Sequence, residues 1–262
     1  MGPLAVPERA AGRRAVLTHL QPMSETLAAP FRAIEAASKV VVDSPFVVLR
    51  LDGKGFSKWT KGLDRPCDEG FLDAMRVTTE ALVRDIPGVR LGYVVSDEIS
   101  LVLDYRDLLV EQTWFGGRSD KMLSLSASMA TAHFNAYGLR PELAFFDSRL
   151  LPLDSEEQVL DYLNWRRADG VRNAVHTAAH VAFGHSRLMG VPHAQKIEML
   201  AAAGRPVSDL PTEFLRGSII YREQVMREVT FTDRRVGQEV SKVVPRTVVT
   251  SSVAQGSFAL PA

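Results

Sequence analysis

Two carboxylates carry the chemistry that can be read from this sequence. Asp52 closes the apolar run Phe46-Val47-Val48-Leu49-Arg50-Leu51, and Asp97 lies in Ser96-Asp97-Glu98 between two further apolar runs. Like charges brought together need a counter-charge, because burying both bare is costly. A pair of Mg²⁺ ions supplies one. These hard ions prefer carboxylate and phosphate oxygens, and two of them ~3.5–4 Å apart clamp the attacking and leaving oxygens of a phosphoryl transfer. Gly53-Lys54-Gly55-Phe56 follows Asp52. Two glycines let the backbone approach a phosphate chain with its N–H groups aimed at it, and the Gly53 carbonyl offers a further metal ligand. Glu98 is expected to face away from Asp97, as neighbours in a strand do. Arg118 and Lys121, at the start of a predicted helix, would neutralise phosphate charge near that helix N-terminus.

Each signal has an ordinary alternative. An Asp before a Gly at a strand end commonly makes a turn, and Gly-x-Gly is weak alone. The value of these residues is joint, because one topology puts them together. His176 and His180 are four apart on a predicted helix, a spacing that can chelate zinc. No His-Glu-x-x-His pattern accompanies them and no third ligand is near, so satisfied histidines are the better reading. Cys67 has no placed His partner and reads as buried filler. The basic residues Arg166, Arg167, Arg172, Arg222, Arg227, Arg234, Arg235, Lys242 and Arg246 are interspersed with acids. RNA contact and a solvated mixed surface remain open for each.

The elements that must position the carboxylates follow from periodicity. Residues 46–51 read as a strand buried on both faces. Asp68 can cap a helix running to about Asp85, with Phe71, Met75, Thr78 and Leu82 on one face. Leu91–Val95 and Ile99–Leu103 form a hairpin around Ser96-Asp97-Glu98. A helix over Ser119–Tyr137 and a short strand at Leu143–Phe146 follow. Strand, helix, strand, strand, helix, strand is the ferredoxin-like split βαβ order of an α+β fold, with an antiparallel sheet and helices on one face. The first strand is then central beside the hairpin, so Asp52 and Asp97 meet at one sheet edge. Beyond it, one helix carries Leu160, Leu163 and Ala168, a second spans Asn173–Phe183, and a small β element is expected at Ser218–Tyr221 and Thr247–Ser251. The expected division is a flexible extension over 1–23, a catalytic domain over 24–152, and helices with the β element over 153–262. Order starts at Ser24, with Leu27, Phe31, Ile34 and Ala37 behind it.

Composition bounds the class. The chain has 262 residues, 46% apolar and 24% charged, which excludes a disordered chain, a collagen or a disulfide scaffold. Lys plus Arg (31) equals Asp plus Glu (31), so any nucleic-acid footprint is local. A lone cysteine allows neither an intrachain disulfide nor a thiolate zinc cluster. No apolar run approaches the ~20 residues of a membrane span, and the N-terminus has no apolar signal core. A cytoplasmic protein without a membrane partner is expected.

The motifs together resemble the tRNA-histidine guanylyltransferase family, including its tRNA guanylyltransferase-like 3′–5′ polymerases. The matching stretches are Arg50-Leu51-Asp52-Gly53-Lys54-Gly55-Phe56, Arg65-Pro66-Cys67-Asp68, Tyr93-Val94-Val95-Ser96-Asp97-Glu98, Arg118-Ser119-Asp120-Lys121, Phe146-Asp147-Ser148-Arg149 and Asp161 to Asp169. Fainter echoes lie at Lys196–Leu200 and Phe214–Ser218, so the likeness runs from about residue 24 to 222.

The resemblance implies a palm-type catalytic domain with two Mg²⁺ ions on Asp52, the Gly53 carbonyl and Asp97. It implies a triphosphate on Lys54, Gly55, Phe56 and Ser96, helped by Arg118 and Lys121, and Arg65 and Asp68 where the family has a Lys-Pro-Asn-Asp motif near the base. The implied reaction activates the 5′-phosphate of a tRNA with ATP. The 3′-hydroxyl of an incoming nucleoside triphosphate, typically GTP, then attacks. The family also suggests a homo-oligomer, often a tetramer. Where the family reads Cys-His-Ile-Asn-Asn-Leu-Tyr-Asn, this chain reads Gly170-Val171-Arg172-Asn173-Ala174-Val175-His176-Thr177, keeping only Asn173. That departure favours a divergent member that repairs RNA 5′ ends against a template, with Arg166, Arg167, Arg172 and Asn173 on the RNA. The alternatives are a strict tRNA-histidine guanylyltransferase and a palm enzyme joining free triphosphates. A non-catalytic RNA-binding module fits less well, since the strands carry no RNP-like aromatic pair.

Overall fold

The central strand β1 (Phe46–Gly53) is buried on both faces, as its apolar, β-branched run requires. This computed structural model describes residues 33–34, 40–106, 113–235 and 237–261. The extension over 1–23 and the expected start of order at Ser24 lie outside them. After β1 come the short helix α1 (Phe56–Trp59), α2 (Glu69–Asp85), β2 (Val89–Val95), β3 (Glu98–Asp104), α3 (Ser119–Tyr137) and β4 (Phe146–Leu153). The long helix α4 (Glu156–Phe183), α5 (His193–Ala202), β5 (Ser218–Asp233) and β6 (Gln238–Val253) complete the set used below. The strands form one antiparallel sheet in the order β4-β1-β3-β2-β5-β6.

Strand alternation divides the core in two. Leu49, Leu51, Leu101 and Leu103 point to the face covered by α2 and α3, against Met75, Leu82, Met122 and Phe134. Phe46, Val48, Tyr93 and Val102 point to the other face, against Val159 and Leu163 of α4. Gly92 lets α2 lie close on β2, because a Cβ there would stand 2.7 Å from Val83 Cγ2 and 2.8 Å from Thr79 Cγ2.

Four expectations are corrected. The fourth strand starts at Phe146, not Leu143: Leu143 and Phe145 are exposed in the approach to it. The two helices expected around residues 160–183 are one 28-residue helix. Gly170 does not interrupt it, because packing on β2 outweighs glycine's weak helix propensity. Covering helices lie on both sheet faces rather than one. The tail is not a small β element but two 16-residue strands that join the main sheet, and residues 40–262 form one compact unit. Arg222, a candidate RNA contact, instead donates from Nε to the Val83 carbonyl (2.9 Å) and from Nη2 to that of Ile86 (2.9 Å), closing the C-terminal end of α2. Among the described residues no helix is long and apolar enough to cross a membrane.

Candidate active site

Asp52 is the penultimate residue of β1, opposite Glu98 on β3 and Asp147 on β4. Its even position places it on the sheet face that α4 covers. Asp97 sits in the β2–β3 turn. The turn is tied to the strand end by the Gly53 N–H, which donates to the Asp97 carbonyl (3.1 Å). Ser96 adopts φ 56°, a left-handed conformation uncommon outside glycine, and its hydroxyl donates to Asp97 Oδ1 (3.1 Å). Gly53 itself is fixed by contact: a Cβ there would meet the Phe56 ring at 2.5 Å. That ring stacks on Trp59 and packs on Phe134 and Phe146.

The electrostatics of the pair are lopsided. Burial raises the Asp52 carboxyl first, followed by the charges of Asp97, Asp147 and Glu98; Arg149 opposes them, and the result is about 6. Asp97 is also raised, by burial, against the hydrogen bonds from its own backbone and Ser96. Around Asp52 the carboxylates of Asp97, Asp147 and Glu98 outweigh the guanidinium of Arg149, and the donors are oxygens. Among the described residues no three His, Cys, Asp or Glu side chains are grouped to hold a metal. Two carboxylates completed by backbone or substrate oxygens suit Mg²⁺, which commonly binds through one or two carboxylates plus phosphates.

Glu98 departs from expectation as well. It does not turn away from Asp97, because Asp97 is a turn residue and strand alternation does not reach it; Asp52, Asp97 and Glu98 line one cavity. Glu98 is neutralised by Arg166 of α4 in a two-pronged contact, Nε to Oε1 at 2.6 Å and Nη2 to Oε2 at 2.7 Å. Arg166 Nη2 also donates to Asp169 (3.0 Å). Gly170 permits this approach of α4: a Cβ there would stand 2.4 Å from Val95 Cγ2.

Two cavities meet at Asp97. One, of about 270 Å³, is walled by Phe56, Phe71 and Phe214 with Arg65, Cys67 and Asp68. The other, of about 310 Å³, holds Arg50, Asp52, Glu98, Arg149, Trp165 and Arg166. Ser96, Asp97 and Asn173 line both. Two compartments sharing one carboxylate suit a reaction between two bound molecules.

The remaining expected site residues divide. Asp68 lines the first cavity but works as the α2 cap, accepting from the Phe71 N–H (2.8 Å) and the Asp64 N–H (3.0 Å). Arg65 lines it too, donating to Thr60 Oγ1 (3.1 Å). Lys54 is exposed, and its backbone N–H is taken by the Phe145 carbonyl (2.8 Å). Gly55 takes φ 68° to start α1. Phe56 is 2% exposed, so its ring belongs to the core. Arg118 and Lys121 are brought elsewhere. Arg118 bridges to Val41 and Ser119 donates to the Val40 carbonyl (3.0 Å), before β1 begins. Asp52 lies at the far end of that strand, roughly 20 Å beyond Phe46. Within one chain these two cations do not reach the carboxylates, because α3 enters at the opposite sheet end.

Arg167 donates to Asn164 (2.8 Å) and to the Gly256 carbonyl and covers the Phe258 ring. Arg172 pairs with Asp169. His176, lining the first cavity, accepts at Nδ1 from the Lys196 ammonium (3.1 Å); an ammonium has no acceptor, so the ring carries its proton on Nε2. Burial first, then Lys196, His180 and His185, lower its basicity. Burial pushes the Cys67 thiol up to about 11, followed by Asp68, Glu213 and Glu69, which leaves no nucleophilic thiolate.

Arg50, Arg149 and Trp165 were not singled out from sequence. Arg50 lies two residues before Asp52, on the same strand face, and is directly opposite Arg149. That signal was available from alternation. Trp165 is brought in by the pitch of α4, which required the helix to be placed first.

Known proteins resemble this chain in sequence and in fold. The family model described as "Thg1: tRNAHis guanylyltransferase" matches residues 29–154. A probable tRNA(His) guanylyltransferase of Drosophila melanogaster is 30% identical over 205 residues, 71% of this chain and 70% of its own length. A bacterial tRNA(His) guanylyltransferase (Thg1)-like protein in complex with ATP superposes with TM-score 0.71 and 32% identity, covering 74% of this chain and 88% of that one. A bacterial Thg1-like protein in complex with GTP gives TM-score 0.69 and 28% identity, over 86% of this chain and 91% of that one.

Proposed function

The chain belongs to the tRNAHis guanylyltransferase family and is a nucleotidyltransferase; from that premise we propose that it adds nucleotides to the 5′ end of tRNA in the 3′–5′ direction on a palm-type domain. The observation that carries this is Asp97 shared between two cavities, with Asp52 beside it. One cavity takes the nucleoside triphosphate, ATP or GTP, the nucleotides bound in the complexes of the two bacterial neighbours. The other takes the RNA end.

In the first step the RNA 5′-phosphate oxygen attacks the α-phosphorus of ATP and pyrophosphate leaves, giving an adenylylated end. In the second the 3′-hydroxyl of GTP attacks the RNA 5′-phosphorus and AMP leaves, so the chain grows by one nucleotide. Two Mg²⁺ ions, held by Asp52, Asp97 and the Gly53 carbonyl, would supply charge neutralisation for both displacements. The chain's own residues orient the reactants. Ser96 fixes the Asp97 carboxylate, Glu98 and Arg166 brace the second cavity, and Arg50 and Arg149 supply positive charge for the phosphate there. Phe56, Arg65 and Asp68 line the cavity assigned to the triphosphate, with Lys54 and Gly55 next to Phe56 in the chain, and Asn173, which lines both cavities, is assigned with Arg172 to the RNA.

The changed segment 170–177 supports template-directed repair over strict recognition of histidine tRNA, because a lost polar contact removes discrimination. The test compares several tRNAs lacking their first 5′ nucleotide with intact histidine tRNA. Preference for the truncated, templated ends is expected. Activity confined to untemplated guanylate addition on histidine tRNA would restore the strict assignment. A homo-oligomer, tetrameric as in the family, is part of the same proposal and is read by light scattering.

A further inference from the structure

Trp165 is half-exposed (50%) although it is held from several sides. The Arg166 guanidinium lies over its ring at 4.5 Å, and that guanidinium is itself locked by Glu98 and Asp169. Tyr162 meets the indole edge-on, with ring centroids 6.0 Å apart, and its hydroxyl is pinned to Ser100 Oγ at 2.9 Å. The remaining indole surface opens into the cavity that contains Asp52 and Asp97. A large apolar ring fixed in place but left uncovered beside reactive carboxylates is not explained by core packing. Exposed, pre-ordered aromatics are how proteins hold bases by stacking, since every base, the last of a paired end included, has a π-face.

We propose that Trp165 is a positioning residue, the platform on which the 5′-terminal base of the RNA stacks so that its phosphate reaches Asp52 and Asp97. This rests on the reading of the second cavity as the RNA side. The ligand chemistry is a nucleobase, which an RNA end and a free triphosphate both offer. The first cavity has its own partly exposed aromatic rings, Phe71 and Phe214, for the base of the triphosphate, so Trp165 is left for the RNA.

The experiment is a binding cycle on the full chain, without turnover. Wild type, Trp165→Ala and Trp165→Phe are each titrated with a 5′-phosphorylated tRNA lacking its first nucleotide, and with the same RNA abasic at its 5′-terminal position. Circular dichroism confirms folding. Wild type should favour the intact end by about 5- to 150-fold, the range for one base–aromatic stack. Trp165→Ala should bind both RNAs alike, and Trp165→Phe should recover most of the preference. In turnover, Trp165→Ala should raise KM for RNA and leave KM for ATP and GTP within about two-fold. Equal losses for intact and abasic ends, or a KM rise confined to the triphosphates, overturn the proposal. An inactive wild type that still prefers the intact end would count against the transfer reaction and leave the platform standing.

Discussion

Asp52→Asn should stabilise the metal-free protein while destroying its activity. The substitution keeps shape and removes one charge from a cluster of Asp97, Asp147 and Glu98. The cluster and burial together lift the Asp52 carboxyl from its ordinary 3.8 to about 6. At ~1.4 kcal/mol per tenfold change in proton affinity this corresponds to ~3 kcal/mol. The side chain is only half-buried, and solvent screening brings the expected gain to about 1–2 kcal/mol. That is a rise of roughly 2–8 °C in Tm for a chain of this size. The sign follows from proton binding. Between pH 3.8 and about 6 the folded state holds the Asp52 proton and the unfolded state does not, so wild-type stability falls as pH rises through that window. Above about pH 6 the penalty is complete. The variant's advantage should therefore be absent near pH 3.5, grow to pH 6 and then level off. Differential scanning calorimetry in EDTA across this range reads it. A variant less stable than wild type at pH 7, or an advantage independent of pH, would refute the account of a charge-overloaded site. Adding Mg²⁺ should reverse the order, because only the wild type retains both carboxylates to bind it.

Asp97→Asn should lower nucleotidyl transfer by at least about 100-fold with the fold intact, measured by single-turnover assay with circular dichroism. Gly170→Val should cost about 1–3 kcal/mol in urea unfolding, because its side chain must displace Val95 or push α4 off β2, and transfer should fall with it. Glu98→Ala should cost about 3–5 kcal/mol, since it leaves the Arg166 guanidinium, 11% exposed, without its main partner; an unchanged urea midpoint would show that this pair does not brace the site. Arg222→Ala should cost about 1–2 kcal/mol by freeing the last carbonyls of α2, with RNA affinity unchanged in a filter-binding assay.

The half of the site borne by strands was legible in the sequence. An apolar run ending in Asp52 and a hairpin turn containing Asp97 are local signals, and the element order brought them together. Asp68 as a helix cap was equally local. What failed depended on placement in three dimensions. Arg118 and Lys121 start a helix, which says nothing about which sheet end that helix enters; the contacts with Val40 and Val41 decide that. Two helices were expected where one runs through Gly170, and only the 2.4 Å clearance to Val95 shows why a glycine stands inside a continuous helix. Arg166 and Arg167 read as RNA contacts or mixed surface because a sequence does not show that Glu98 and the Gly256 carbonyl lie opposite them. The tail's alternating Val, Thr and Arg fitted a strand, but its length was set by the pairing of β5 with β6.

Asp52 and Asp97 are expected to join a nucleotide to an RNA 5′ end. The most direct test is incubation of a 3′-labelled, 5′-monophosphorylated tRNA lacking its first nucleotide with the protein, ATP, GTP and Mg²⁺. The expected product is one nucleotide longer at the 5′ end. Without GTP the adenylylated RNA should accumulate, and with Asp97→Asn neither species should form. No lengthening by wild type, lengthening that survives Asp97→Asn, or oligonucleotides made from the triphosphates alone would contradict that role.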